Sequence, residues 1–255
     1  MLMRVKLLIE YDGTKFCGWQ KQRDCISVQE TIERAICNVF GDALMPELYG
    51  AGRTDTGVHA TGQIAHLELA DEKLTEKWKN NLLRLHIAIN ANMLQSGARV
   101  LEATEVSDDF HARFSAKMRH YKYVILNRNV NSPIYEGRVW NIRRKIDENS
   151  MNFAAQFLRG THNFNAFRSS QCSALNPVRT ISNVEVSRKG DLIIVKISAK
   201  SFLHNQVRIT VGTLKEIGIG AKNPEYIKYL LESADRTQAG PTAPAFGLYL
   251  TKIDY

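Results

Sequence analysis

Residues 48–63 read LYGAGRTDTGVHATGQ. A single acid, Asp55, stands among glycines and threonines, with Arg53 two places before it. Glycine has no Cβ to limit backbone dihedrals or close approach. A run this dense therefore marks a loop cradling phosphate, a plain surface turn, or a backbone folded tightly about a reactive carboxylate. The phosphate loop fails on spacing. A dinucleotide fingerprint needs Gly-x-Gly-x-x-Gly between a strand and a helix, whereas Gly50, Gly52 and Gly57 are followed by IAHLELA, which alternates like a strand. No Gly-Lys-Ser or Gly-Lys-Thr is present to make a nucleoside-triphosphate loop.

The other two readings survive that test. Asp beside Thr and Gly is a common turn former, because its carboxylate bonds its own backbone. Arg53 and Asp55, however, form an i, i+2 pair, whose side chains leave an extended backbone on the same side. That parity lets the two side chains interact, and a guanidinium beside the acid would hold it ionised below the ordinary carboxylate pKa of about 3.9. Thr54 and Thr56 would add hydroxyl donors.

Working outward, VKLLIEYDG reads as a strand entering a turn. Ser27 and Glu30 make a capping box for a helix whose apolar face is Val28, Ile32, Ala35, Ile36, Val39 and Phe40, with Gly41 as its stop. In IAHLELA, Ala65, Leu67 and Leu69 alternate with polar neighbours as in a half-buried strand. A helix is expected from about Thr75 to Leu85, turning Trp78, Leu82 and Leu85 inward. ARVLEATEVS and RHYKYVILN are further strands, joined by DDFHARFSAKM. Asp147 opens a helix carrying Met151, Ala154, Phe157 and Leu158, with Gly160 as its expected end. VRTISNVEVS and DLIIVKISA flank RKG as a hairpin, Asn205–Ile217 reads as a buried helix, another begins at Asn223-Pro224-Glu225, and FGLYLTKIDY closes as a strand. Without regular strand–helix alternation, the class is α+β with a mostly antiparallel sheet. Periodicity breaks between residues 127 and 147, the one weak boundary.

Bulk composition agrees with a globular chain. Of 255 residues, 44% are hydrophobic and 24% charged, and no apolar run is long enough to span a bilayer. The amino terminus lacks the apolar stretch of a secretion signal. Cys17, Cys25, Cys37 and Cys172 include no Cys-x-x-Cys and no His at ligand spacing, which disfavours a zinc or redox site and suits a reducing cytoplasm. The net charge of +8 favours a polyanionic partner, since neutralised phosphates release counterions.

With these elements placed, YGAGRTDTGVHATGQ closely resembles the catalytic motif of the TruA family of tRNA pseudouridine synthases, whose hallmark is Gly-Arg-Thr-Asp-x-Gly-Val-His-Ala. YDGTKFCGWQKQ, DDFHARFSAKMRHYKY, NPVRTI, FLHNQVRITVGTL and GPTAPAFGLYL resemble family segments in the family's order. Gln206 departs from the methionine usual beside the Val-Arg pair. The resemblance implies a pseudouridine synthase fold: a mostly antiparallel mixed sheet flanked by helices, in two similar halves, residues 1–110 and 111–255, sharing a continuous sheet about a central basic cleft. It also implies isomerisation of uridine in the anticodon stem-loop of tRNA by a cytoplasmic homodimer, without cofactor, metal or membrane.

The same resemblance makes Asp55 the nucleophile, Tyr121 the ring that stacks on the target uracil, and Arg208 the partner of the acid. Arg53 is then expected to hold the flipped-out nucleotide. Arg113, Lys117, Arg119 and Lys122, beside Phe110 and Phe114, are candidates for an RNA-tracking surface, each equally readable as a solvated strand edge. Tyr123, Trp19 and Trp78 are expected in the core, and His59 and His111 to organise loops. A non-catalytic RNA-binding protein of the same fold is the alternative, disfavoured by the intact Asp55, Tyr121 and Arg208.

Overall fold

The computed structural model describes residues 3–41 and 47–255. The chain divides into two compact units: one runs to Lys117 and also takes Leu250–Tyr255, and the other is Met118–Tyr249. The segment 127–147, where periodicity breaks, thus lies inside the second unit rather than at its edge.

In the first unit the order is β1 (Met3–Tyr11), α1 (Val28–Phe40), β2 (Tyr49–Gly50), β3 (His59–Leu69), α2 (Glu72–Lys79), α3 (Leu82–Ala91) and β4 (Ala98–Val106). β1 lies between β3 and β4, antiparallel to both, and β2 pairs with β3. Met3, Val5, Leu7, Ile9 and Tyr11 alternate into the core, as a period-two strand should. The ladder with β3 shifts register between Ile9 and Tyr11, a bulge that re-aims the end of β1. Ser27 Oγ accepts the Glu30 N–H at 3.2 Å and Gly41, at φ 95°, ends α1, both as expected.

Two expectations change here. The helix placed at Thr75–Leu85 is two helices, because Asn81 bonds backward: its N–H to Trp78 O and its side-chain amide to Lys77 O close α2, and α3 begins afresh. β3 is not half-buried either. His66, on the face expected to be wet, is 1% exposed, and Gln63, a polar residue on the inward face, is 0% exposed. Gln63 Nε2 donates to Gly52 O at 2.8 Å and His66 Nδ1 accepts from Ala112 N–H at 3.2 Å, so their polar atoms are satisfied in the interior.

The second unit runs β5 (Met118–Leu126), β6 (Trp140–Asn141), α4 (Glu148–Gln156), β7 (Gly160–Asn163), β8 (Val178–Lys189), β9 (Leu192–Ala199), α5 (Gln206–Gly218) and α6 (Tyr226–Ser233). β5, β9, β8 and β7 pair antiparallel in that order, and β6 is parallel to β5. The β8–β9 hairpin closes Lys189 against Leu192 through Gly190 at φ 58°, the positive dihedral such a turn requires. Asp147 caps α4, but the helix ends at Phe157, and Gly160 opens β7 instead of terminating the helix. α4 packs on β8 and α5. The closing strand β10 (Leu248–Asp254) passes into the first unit at Leu250, where the backbone of Thr251 lies against Gly62 of β3. Mostly antiparallel strands with helices packed on them make the fold α+β.

Candidate active site

Asp55 sits in the connection between β2 and β3, half-buried, and its surroundings are built from the segment that follows β1. Thr54, just before it, is buried, and its Oγ1 lies 2.7 Å from the Tyr11 hydroxyl. Trp19 N–H donates to Thr54 O at 3.1 Å, and Val58 N–H to Asp55 O at 3.1 Å. Gly18 adopts φ 97°; a Cβ there would come within 2.6 Å of Thr54 O and 3.3 Å of the Asp55 carbonyl carbon. A Cβ on Gly13 would meet Val58 O at 2.1 Å. Those two glycines let one backbone lie directly against another, so the loop bearing the acid is clamped through main-chain atoms. His59 Nδ1 accepts the Gly13 N–H at 3.0 Å, the loop-organising role expected of it. Trp19 fills the space behind, 2% exposed and tilted on Tyr11 at 6.1 Å.

Arg53 does not take up the pairing with Asp55 that strand parity allows. Its Nε donates to Gln20 Oε1 at 3.1 Å, and among the described residues it makes no ion pair with the acid. Parity along a strand could not foresee a partner 33 residues earlier in the chain. The guanidinium is exposed, held at its neck by a neutral amide with its remaining donors toward solvent.

Tyr121 and Arg208 belong to the second unit. Tyr121 stands on β5 opposite Ile197, half-buried, its ring edge-on to Phe202 at 5.2 Å. Its neighbour Tyr123 is fully buried; the hydroxyl donates to Pro244 O at 2.8 Å, and burial pushes the phenol far above its ordinary range although Arg208 pulls the other way. Arg208 lies on the first turn of α5. Its Nε donates to Ala243 O at 2.8 Å and Nη1 to Asn205 Oδ1 at 2.7 Å, while Ala243 N–H returns a bond to Arg208 O. Asn205 takes the left-handed conformation at φ 61°, and Gly212 admits Pro241 O so closely that a Cβ would stand 1.7 Å away. The departure at Gln206 has a structural use, since its Oε1 accepts the Leu203 N–H at 2.8 Å.

The remaining basic candidates do not form one surface on the strand. Arg119 and Lys122 are three residues apart on β5, so they leave opposite faces. Arg119 donates to Lys200 O, and Lys122 lies over the Tyr249 ring at 4.9 Å. Arg113, in the first unit, covers the exposed Phe114 at 5.6 Å. His111 Nδ1 accepts the Arg113 N–H at 3.1 Å and so shapes that turn. The sequence reading missed Glu33, 6% exposed, which accepts from Gln29 Nε2 and from Leu48 N–H, just ahead of β2.

Residues 7–115 and 154–255 match the family model for tRNA pseudouridine synthase. The chain is 46% identical over 252 residues to tRNA pseudouridine synthase A of Maricaulis maris (strain MCS10), covering 99% of this chain and 98% of that protein. It is 48% identical over 254 residues to the protein of that name from Wolbachia sp. subsp. Drosophila simulans (strain wRi), covering 99% and 100%, and to the one from Mesorhizobium japonicum, covering 99% of each. The chain belongs to the tRNA pseudouridine synthase family. It is an enzyme, an isomerase acting on uridine in tRNA. Asp55, Arg53 and Arg208 fall within the segments matched by the family model, and Tyr121 falls outside them.

Proposed function

We propose that the enzyme converts uridine to pseudouridine in the anticodon stem-loop of tRNA, with Asp55 as nucleophile. The reaction breaks the bond from uracil N1 to ribose C1′, turns the base and rejoins it through C5; the C5 proton is released to solvent and N1 takes one up, so no co-substrate or cofactor is consumed. An ionised carboxylate suits this chemistry because it attacks and is expelled again. The clamped loop is the observation that carries the reading, since a plain solvent-facing turn needs neither Gly13 nor Gly18 pressed against its backbone.

Tyr121 supplies the aromatic face that replaces stacking lost when the nucleotide is extruded, a cost of a few kcal/mol. Arg208 is the partner of the carboxylate, and Arg53 holds the extruded nucleotide. Arg113, Arg119 and Lys122 add charge for the RNA backbone. The working form is a cytoplasmic homodimer with RNA spanning both copies.

Asp55→Asn tests the central role, because the amide keeps the shape and loses the nucleophile. Tritium release from 5-tritiated uridine in tRNA is expected to vanish while RNA affinity stays within a few-fold. Turnover near wild type would defeat the assignment. Mapping pseudouridine in tRNA from cells lacking the protein tests the position, with loss expected only in the anticodon arm.

A further inference from the structure

Where β5 ends, the second unit contains a cleft of about 480 Å³. Four cations line it, Arg128, Arg143, Lys145 and Arg188, against one acid, Glu148. The acid is already committed, since Glu148 Oε2 accepts from Arg188 Nε at 2.9 Å, and Arg188 Nη2 donates onward to Ile146 O at 2.8 Å. Arg128 Nε donates to Val130 O at 2.8 Å, a neutral acceptor, and among the described residues its one ion pair is a loose contact, 3.5 Å from the exposed Asp191 carboxylate. Arg143 and Lys145 are exposed, and among the described residues neither has a protein partner.

The backbone that carries those two cations is nevertheless fixed. Asn127 Nδ2 donates to Ile142 O at 2.9 Å and Arg144 O at 2.8 Å, and its Oδ1 accepts the Ile146 N–H at 3.1 Å. A rigid concave rim with unneutralised charge focuses positive potential on whatever enters. No aromatic ring lines the cleft, so it offers phosphates a seat and a base none. Apart from Arg188, these residues lie outside the segments that match the family model.

We infer that this cleft binds phosphodiester groups of the RNA substrate as a docking site separate from the base-binding ring. Tyr121 and Asn127 are six residues of extended strand apart, roughly 20 Å, so the cleft grips RNA some way along the backbone from the extruded nucleotide. The inference rests on the tRNA reading above. It adds that the second unit anchors the substrate beyond the reacting position.

The test is the double variant Arg143→Ala/Lys145→Ala, compared with Lys73→Ala/Lys79→Ala, which removes equal charge from exposed positions on α2. Affinity for full-length tRNA is measured between 50 and 200 mM salt, with isomerisation at saturating tRNA measured in parallel. Losing two phosphate contacts lowers the salt slope by about 1.4 to 1.8, so over that range the wild type should lose roughly 7- to 12-fold more affinity than the cleft variant. KM should rise and kcat should hold. An unchanged slope, or an equal change in the α2 variant, overturns the inference. So would tight binding of inorganic phosphate or a mononucleotide that the cleft variant alone loses, with the tRNA slope intact, since that marks a small-anion site. Wild-type protein that binds tRNA but isomerises none would defeat the enzyme reading and leave the slope comparison standing.

Discussion

Tyr11 and Thr54 meet hydroxyl to hydroxyl at 2.7 Å in the interior, joining the end of β1 to the residue before Asp55. Tyr11→Phe removes one partner and leaves Thr54 Oγ1 buried, at a cost of about 1–3 kcal/mol. Denaturant unfolding should show that loss, and Tyr11→Phe/Thr54→Val should recover part of it, because a buried pair deleted together leaves less polar surface unsatisfied. A double variant as unstable as the sum of the two singles would mean the hydroxyls do not act on each other.

Gly18 tests whether the clamp positions the acid. In Gly18→Ala the new methyl meets Thr54 O at 2.6 Å with φ already positive, so the Asp55 backbone must move. Misplacement by about 1 Å costs on the order of 100-fold in rate. The expected result is a fall in kcat well beyond any change in tRNA affinity. Gly41→Ala is the control: φ is 95° there too, but among the described residues nothing lies within 4 Å of its Cβ, so stability should drop by about 1 kcal/mol with kcat unchanged. Equal kinetics in the two variants would remove the positioning role.

His66 gives the protein an acid limit. Burial lowers its pKa to about 4, with His111 and Arg4 nearby adding to the effect and Glu68 opposing it. The ordinary value of 6.5 applies unfolded. Below pH 6.5 the unfolded chain binds a proton that the folded one refuses, so stability is complete above that pH, falls toward pH 4 and then levels. The full shift corresponds to roughly 3 kcal/mol at most. His66→Gln should flatten the pH dependence of the denaturation midpoint between 6.5 and 4. An unaltered profile would place the titration elsewhere.

Much of this was legible in the chain. The acid among glycines, the capping box at Ser27, the hairpin at Gly190 and the buried helix after Asn205 all follow from rules that act over a few residues. The misses share one cause. Arg53 turns to Gln20 and His66 is satisfied by Ala112, so each polar side chain finds its partner through tertiary structure that no local period encodes. The split at Asn81 is different, for its side chain competes with the helix it sits in, a signal present in the sequence and outweighed by apolar spacing. The cleft beyond β5 was invisible because Arg128, Arg143 and Arg188 converge only once β5 and β8 lie in one sheet.

The passage of β10 back into the first unit orders events during synthesis. Lys117 N–H bonds Asp254 O at 2.8 Å, the Tyr255 hydroxyl donates to Ala112 O, and the Tyr255 ring lies 4.8 Å from Phe110. A nascent chain leaving the ribosome can complete its second unit first. The unit that bears Asp55 must wait, with a sheet edge open to chaperones or to mispairing, until Leu250–Tyr255 emerge.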